Sequence, residues 1–366
     1  MTADGDADGP RDPVPGAVRL SEGAGRVSLV IFGRATFADA VADFESAVLA
    51  RDSEASEQAF DRLQQTFQGA DDADLATAAP RLAALLPHVP PGPRAIVAVV
   101  IGACVERGAD AMACAPAVLA ALAETLLGAE EFVERWATTG GGELPDPEQG
   151  DPDDEVFTRV GPEAAQAWWT LPQWEMAAVA VLNQRAVRVA LTGRDRLVGL
   201  ARRVAEATDG GLKYLVYALL VLDDEPLIVL HRPSGSGYRM RMTGLGDNFQ
   251  LHTLLAAELV GGGHVPGQAP TAEAVAVCRD APGQVHTVGS FNLAAPDGTW
   301  IWNEGTPADI PLVDGVRLLV LDPPPYERSW PAGRFFPGMP GELALEQVMS
   351  AAEARDWLAK VAEPKS

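Results

Sequence analysis

The sequence has little of the chemistry that builds metal centres and disulfide frameworks. Its 366 residues include three cysteines and five histidines. The cysteines (Cys104, Cys114 and Cys278) form no CxxC pair, and no two histidines stand at HxH or HxxxH spacing. An odd, sparse cysteine set argues against a disulfide framework, and metal-binding histidines usually occur in such short-spaced pairs. The sequence therefore predicts no metal site, and nothing in it indicates a cofactor.

Signatures of nucleotide binding and of nucleophilic catalysis are also missing. The glycine runs Gly140–Gly142 and Gly261–Gly263 match neither GxGxxG nor GxxxxGK[ST], and there is no GxSxG elbow. Cys278 follows an apolar run, so we expect it to be buried rather than to act as a nucleophile with His286. No stretch resembles a known family closely enough to transfer a function.

A signal peptide and a long apolar run are absent as well. Residues 1–15 are rich in Asp, Gly and Pro and have no basic or apolar segment. The longest apolar run, near Ala95–Cys104, is too short to cross a bilayer. These absences predict a soluble, cytoplasmic protein that does not associate with a membrane.

Positive charge is scarce, and lysine most of all. The net charge is −23, and only Lys213, Lys360 and Lys365 accompany the arginines. With abundant Ala, Gly and Pro, this composition indicates a GC-rich bacterial genome, and the acidity disfavours nucleic-acid binding. Residues 1–160 hold 28 of the 51 acids and 11 of the 28 bases. The rest of the chain is less acidic and is the better place for an anionic ligand.

Helical periodicity dominates the first part of the chain, after an acidic tail over residues 1–25 that we expect to be disordered. Phe37, Val41, Phe44 and Val48 fall on one helical face, and similar stripes follow. Successive helices would form hairpins of the size found in HEAT-type units, and a plain bundle is the alternative. The sequence predicts an all-helical domain over residues 26–142.

An acidic segment with several prolines, ELPDPEQGDPDDE, begins at Glu143. It predicts a linker over residues 143–156. Beyond it, residues 157–366 are predicted to form an α+β domain with a mainly antiparallel sheet, which starts with helices and ends with a helix over Leu345–Val361. The predicted strands are Tyr214–Leu222, Pro226–His231, Tyr238–Thr243, Gln284–Leu293, Thr299–Trp302 and Val316–Leu321.

The segment GLGDNFQLH, Gly244–His252, joins a predicted strand to a predicted helix start. A helix start offers free N–H groups to an anion, and nearby arginines add donors. One hypothesis is that an anionic small molecule or a peptide carboxylate binds here. In the alternative, Asp247 only caps the helix, His252 packs in the core and the arginines are solvated. The residues predicted to bind the ligand are His231, Arg232, Arg239, Arg241 and Asn248.

Two later loops carry further polar and aromatic residues. Asn303 and Glu304 follow a predicted strand, and Arg328 and Trp330 lie in a long loop between Pro325 and Pro340. Long loops with aromatics and arginines are often binding surfaces, which makes Asn303, Arg328 and Trp330 candidate ligand contacts. The alternative is that the tryptophans only anchor a stiff surface loop.

Three functions remain open from the sequence. In the first, the protein is a non-catalytic binding or accessory protein whose helical half docks a protein partner, while its α+β half binds a small anionic ligand or peptide. In the second it is an enzyme, with Asp247 or Glu304 as base, His252 as acid/base and an arginine on the substrate. In the third it is an assembly subunit that associates through an aromatic interface.

Overall fold

The computed structural model of the protein describes residues 36–208 and 210–365. Over these residues a helical region is followed by a region built on a mixed β-sheet, so the fold is broadly α+β. The predicted acidic tail, residues 1–25, lies outside the described residues.

Five helices begin the described part of the chain and pack through their apolar stripes. They are α1 (Phe37–Ala50), α2 (Ser53–Phe67), α3 (Asp72–Leu85), α4 (Pro91–Glu106) and α5 (Ala111–Thr138). Thr36, Asp52, Asp71 and Asp110 each accept a hydrogen bond from a backbone N–H in the first turn of the helix that follows. Such caps satisfy N–H groups that the helix itself cannot bond. Part of the acidity of this region therefore serves to start helices.

Helix α5 is long and apolar enough to cross a membrane by length and composition. In the folded chain it packs against α3 and against three later helices. These are α7 (Pro162–Trp169), α8 (Leu171–Leu182) and α10 (Arg194–Ala207). Leu122, Leu126 and Phe132 are fully buried there. This packing is that of a core helix and is compatible with a soluble protein.

The hydrophobic core continues past the acidic segment of residues 143–156. The remaining helices of the region are α6 (Asp154–Val160), α9 (Arg185–Ala190) and α11 (Lys213–Leu220). Apolar residues from Phe37 to Val221 form one cluster. Trp168 stacks on Phe132 at 4.7 Å, and its Nε1 donates to the Pro145 carbonyl at 2.9 Å. The acidic segment therefore lies over a shared core, and the change from one core to the next falls near Val221.

The prediction that Tyr214–Leu222 forms the first strand is wrong, because this segment forms helix α11. Leu215, Ala218 and Leu219 are buried at helical spacing. The start of α11 is capped from outside, where the Glu175 carboxylate accepts the Leu215 N–H at 2.8 Å. A cap that comes from another helix leaves no local signal, so the apolar run resembled a buried strand.

The main sheet has the strand order β4-β6-β1-β2-β8, with β5 beside β6. It is mixed, because β1 and β6 run parallel while β2 pairs antiparallel with β1 and β8. Strands β3 and β7 form a separate ribbon. The strands are β1 (Glu225–His231), β2 (Ser236–Thr243), β3 (Val285–Val288), β4 (Asn292–Ala294), β5 (Leu312–Val313), β6 (Val316–Asp322), β7 (Ser329–Ala332) and β8 (Glu342–Val348).

Helices cover both faces of this sheet. On one face lie α12 (Asn248–Ala256) and α13 (Ala272–Arg279), against Leu227 and Val229 of β1. On the other lies α14 (Ala351–Leu358), against Ile228 and Leu230. Because side chains alternate along a strand, residues next to each other in β1 and β2 belong to different layers.

The predicted C-terminal helix Leu345–Val361 is partly wrong. Its first residues belong to β8, and α14 begins only after Ser350, whose hydroxyl accepts the Glu353 N–H at 3.2 Å. Ser350 followed three residues later by Glu353 is the sequence signal that places this helix start.

Candidate functional site

The first turn of α12 is closed by the chain's own side chains. The Asp247 carboxylate accepts the Gln250 N–H at 2.8 Å. The Gln250 side chain accepts the Gly246 N–H at 2.9 Å and donates to the Cys278 carbonyl at 2.6 Å. A carboxylate therefore occupies the helix start at which an anionic ligand was expected.

His252 lies one turn further along α12 and is completely buried. Its Nε2 accepts backbone N–H groups of Ser290 and Phe291, at 3.0 and 3.2 Å. Because both are donors, we assign the ring proton to Nδ1, which lies 3.4 Å from Asn303 Oδ1. Burial lowers the pKa of His252 to about 4. The ring is neutral at physiological pH and links α12 to two loops.

Several predicted ligand contacts gather around this ring and form what we call the α12 cluster: Asn248, His252, Asn303, Arg328 and Trp330. Trp330 packs edge-on against His252 at 4.8 Å. Asn248 Nδ2 donates to the Trp302 carbonyl at 2.9 Å, and an Arg328 Nη donates to the Phe291 carbonyl at 2.6 Å. Three buried atoms of the cluster, Asn248 Oδ1, Arg328 Nε and Trp330 Nε1, have no hydrogen-bond partner in the described part of the chain.

Arg239 and Arg241 do not join the α12 cluster. They point to the opposite face of β2 from Met240 and Met242, which lie in the core beneath α12. Each is paired with a carboxylate, Arg239 with Glu353 and Arg241 with Glu346, both at 2.6 Å. Asp247, His252 and these arginines therefore line no common pocket.

His231 and Arg232 belong to another polar group, at the carboxyl ends of the parallel strands β1 and β6. His231 Nδ1 lies 2.7 Å from the Ser234 hydroxyl, and Arg232 Nε donates to Asp322 Oδ1 at 2.6 Å. Burial lowers the pKa of His231, although nearby Asp322 acts in the other direction. The structure thus separates the predicted ligand residues into three places.

Asp247 and Glu304 meet at a corner with α11. Burial raises the pKa of Asp247 to about 6, against the effects of its backbone hydrogen bonds and of Lys213. Glu304 has an exposed side chain, and its carbonyl accepts the Tyr217 hydroxyl at 2.5 Å. Burial also raises the pKa of Tyr217. The sequence missed the contribution of α11 because that segment was predicted as a strand.

A groove of about 450 Å³ lies next to this corner, between α4, α8, α11 and the segment 335–338. We call it the junction groove and define it by Glu106, Glu175, Met176, Asn183, Tyr214 and Phe335. Met176 and Tyr214 expose 54% and 56% of their surface. The Phe335 ring packs 5.5 Å from Tyr214 and 4.9 Å from Tyr217. Large apolar side chains are thus held in place yet open to solvent.

The two charged residues among those that line the groove are both acidic, Glu106 and Glu175. Burial raises the pKa of Glu175, despite the backbone N–H that it accepts from Leu215. Asn183 Oδ1 is buried and has no partner within residues 36–208 and 210–365. The aromatic wall of the groove is formed by Tyr214 and Phe335. Lys213 Nζ lies 5.7 Å from the centroid of the Phe335 ring and 5.3 Å from that of the adjacent Tyr217 ring.

The junction groove was not predicted from the sequence, because its walls come from distant parts of the chain. Tyr214 and Tyr217 stand at i, i+3 spacing, which puts both on one side of a helix. This spacing indicates a shared side only in a helix, and the segment was predicted as a strand.

Within the described residues, no group of three or more His, Cys, Asp and Glu side chains is arranged to hold a metal ion. The chain matches no family model, and no curated protein or solved structure is significantly similar to it.

Proposed function

We propose that the protein is a non-catalytic binding or accessory protein of the bacterial cytoplasm, which holds a segment of a protein partner in its junction groove. The observation that carries this proposal is the exposure of Tyr214 and Met176 beside Phe335. Exposed apolar side chains grouped in a concave site commonly mark a binding surface, and aromatics supply most of the affinity there.

The α12 cluster supports a binding protein more than an enzyme. An acid/base histidine needs a nitrogen that can exchange protons with substrate. Both nitrogens of His252 face protein atoms, and the ring is inaccessible. Its hydrogen bonds to backbone N–H groups instead hold α12 against the loops at Ser290 and Asn303.

A small anionic ligand on the sheet region has narrower support. Arg232, Arg239 and Arg241 are already paired with carboxylates. The donors Arg328 Nε and Trp330 Nε1 have no partner among the described residues and favour an acceptor group close to the α12 cluster. We therefore propose a small anionic ligand near the α12 cluster as a secondary binding partner.

An enzyme is the second candidate, and Asp247 is the observation in its favour. A carboxyl with a pKa of about 6 is suited to general base catalysis near neutral pH. Tyr217 and Glu304 lie at the same corner. Under this alternative, turnover found in a substrate screen is lost in Asp247→Asn and kept in Tyr214→Ala.

Site-specific photo-crosslinking tests the binding proposal. A benzophenone amino acid is placed at Tyr214 and, as a matched control, at Tyr326, which is 55% exposed and does not line the groove. In extract of the source cells we expect a protein adduct from position 214 and none from position 326. Equal labelling from both positions, or no adduct at all, contradicts the proposal.

A further inference from the structure

We infer that the segment held in the junction groove is basic, with a lysine or arginine side chain seated between the aromatic wall and the acidic lining. This inference rests on the proposed binding function and adds the chemistry of the partner. It follows from the charge of the groove and from its aromatic wall, Tyr214 and Phe335, which are separate features.

The charge of the groove is the first argument. Glu106 and Glu175 line the same groove, and no lysine or arginine is among the described residues that line it. Glu175 is the less solvated of the two, and its protein donors are the backbone N–H groups of Leu215 and Tyr214, with no cation among them. A poorly solvated carboxylate is stabilised most by a cation that brings its own hydrogen-bond donors.

Gly338 keeps the groove open beside the Asn183 side chain. A Cβ added at this position would lie 3.0 Å from Asn183 Nδ2, which is closer than side chains normally pack. The glycine therefore lets the loop pass the amide without a side chain that would cover it.

The aromatic wall is the second argument. Tyr214 and Phe335 present ring surfaces, and Met176 adds a flexible apolar side chain. The long stem of lysine or arginine packs on such surfaces, and its charge is attracted to the ring faces. Lys213 already lies over the Tyr217 and Phe335 rings. An incoming cation is expected beside the carboxylates Glu106 and Glu175, which line the same groove.

The experiment is selection from a random 12-residue peptide library on phage, panned against the full chain and against an unrelated acidic protein of similar charge. We expect the enriched sequences to carry an excess of Arg or Lys next to an apolar residue. Synthetic peptides of the enriched sequences, with each arginine replaced by uncharged citrulline, are expected to bind at least about tenfold more weakly, as for one lost charge-assisted contact.

Two variants of groove residues and one control variant test whether the selected peptides bind in the junction groove. Glu106→Gln and Glu175→Gln should each weaken the selected peptides, while Glu57→Gln, an exposed position on α2, should not. Circular dichroism shows whether Glu175→Gln still folds, since Glu175 caps α11. Glu106 is exposed and supplies the test if it does not.

The outcomes separate the two proposals. Peptides that lack basic residues, or that bind all variants equally, overturn the basic-segment inference and leave the binding function standing. Failure of the full chain to enrich any sequence beyond the unrelated protein overturns the inference, and together with an absence of photo-adduct at position 214 it overturns the binding function as well.

Discussion

The α12 cluster and the junction groove are both rich in polar and aromatic residues, but they use them differently. In the α12 cluster, His252, Asn303 and Trp330 are buried and contact one another or nearby backbone. In the junction groove, Tyr214 and Met176 are more than half exposed. The same residue types thus stabilise the fold in one region and remain available for contact in the other.

This comparison shows that the role of a polar residue depends less on its type than on the hydrogen bonds that its polar atoms already make. A histidine that accepts two backbone N–H groups is costly to move and has no free nitrogen. An exposed tyrosine beside a carboxylate contributes little to folding and can bind without rearrangement. Each prediction below changes one side of the comparison.

The largest expected effect is the loss of stability in His252→Ala. The substitution removes the acceptor of two buried N–H groups and leaves a cavity, so we expect a loss of about 3–5 kcal/mol in unfolding free energy. His286→Ala, at an exposed histidine, should cost less than about 0.5 kcal/mol. Urea denaturation of both variants measures the difference. Similar losses for the two would contradict a structural role for His252.

The pH dependence of stability should carry the signature of His252. Its pKa is about 4 in the folded protein, and an unfolded histidine has a pKa of about 6.5. Between these values the unfolded chain binds the proton and the folded chain does not, so stability falls as pH falls from about 6.5 to 4. The stability difference between wild type and His252→Ala should therefore shrink by about 2–3 kcal/mol over this range. A constant difference would refute the neutral buried ring.

Asp247 should show a smaller dependence of the opposite sign. Its pKa is about 6 in the folded protein against 3.8 as the ordinary value, so its contribution to stability is present below about pH 4 and is lost as pH rises through 6. Asn caps a helix about as well as Asp. Relative to wild type, Asp247→Asn should gain about 2 kcal/mol between pH 4 and pH 7. No change across this range would mean that Asp247 is well solvated.

The smallest effect on stability is expected in the junction groove. Tyr214→Ala should change the unfolding free energy by no more than about 0.5 kcal/mol, because its side chain is 56% exposed. The same variant should lose binding of the selected peptides. A loss of several kcal/mol would place Tyr214 with the structural residues and would remove the contrast between the two regions.

The sequence predicted the parts of the fold that have local signals. The stripe Phe37, Val41 and Phe44 predicted α1, and a helix cap at Asp247, one of the two interpretations of Gly244–His252, is observed. These features depend on residues within one or two helical turns of each other.

The rest depends on contacts across long sequence separations. Helix α11 is capped by Glu175, 40 positions from the Leu215 N–H that it accepts, and His252 finds its donors at Ser290 and Phe291. Arg239 and Arg241 looked free because Glu353 and Glu346 follow more than 100 positions later. Periodicity carries no information about partners at such separations, so the junction groove could not be predicted either.

The most direct test of this account is the imidazole nitrogen NMR spectrum of His252 between pH 8 and pH 5, assigned by comparison with His252→Ala. The account predicts a neutral ring with its proton on Nδ1 and no titration over this range. A midpoint near pH 6.5 would show an accessible ring that exchanges protons. A proton on Nε2 would show that the ring does not accept the two backbone N–H groups. Either result would contradict the structural role of the α12 cluster.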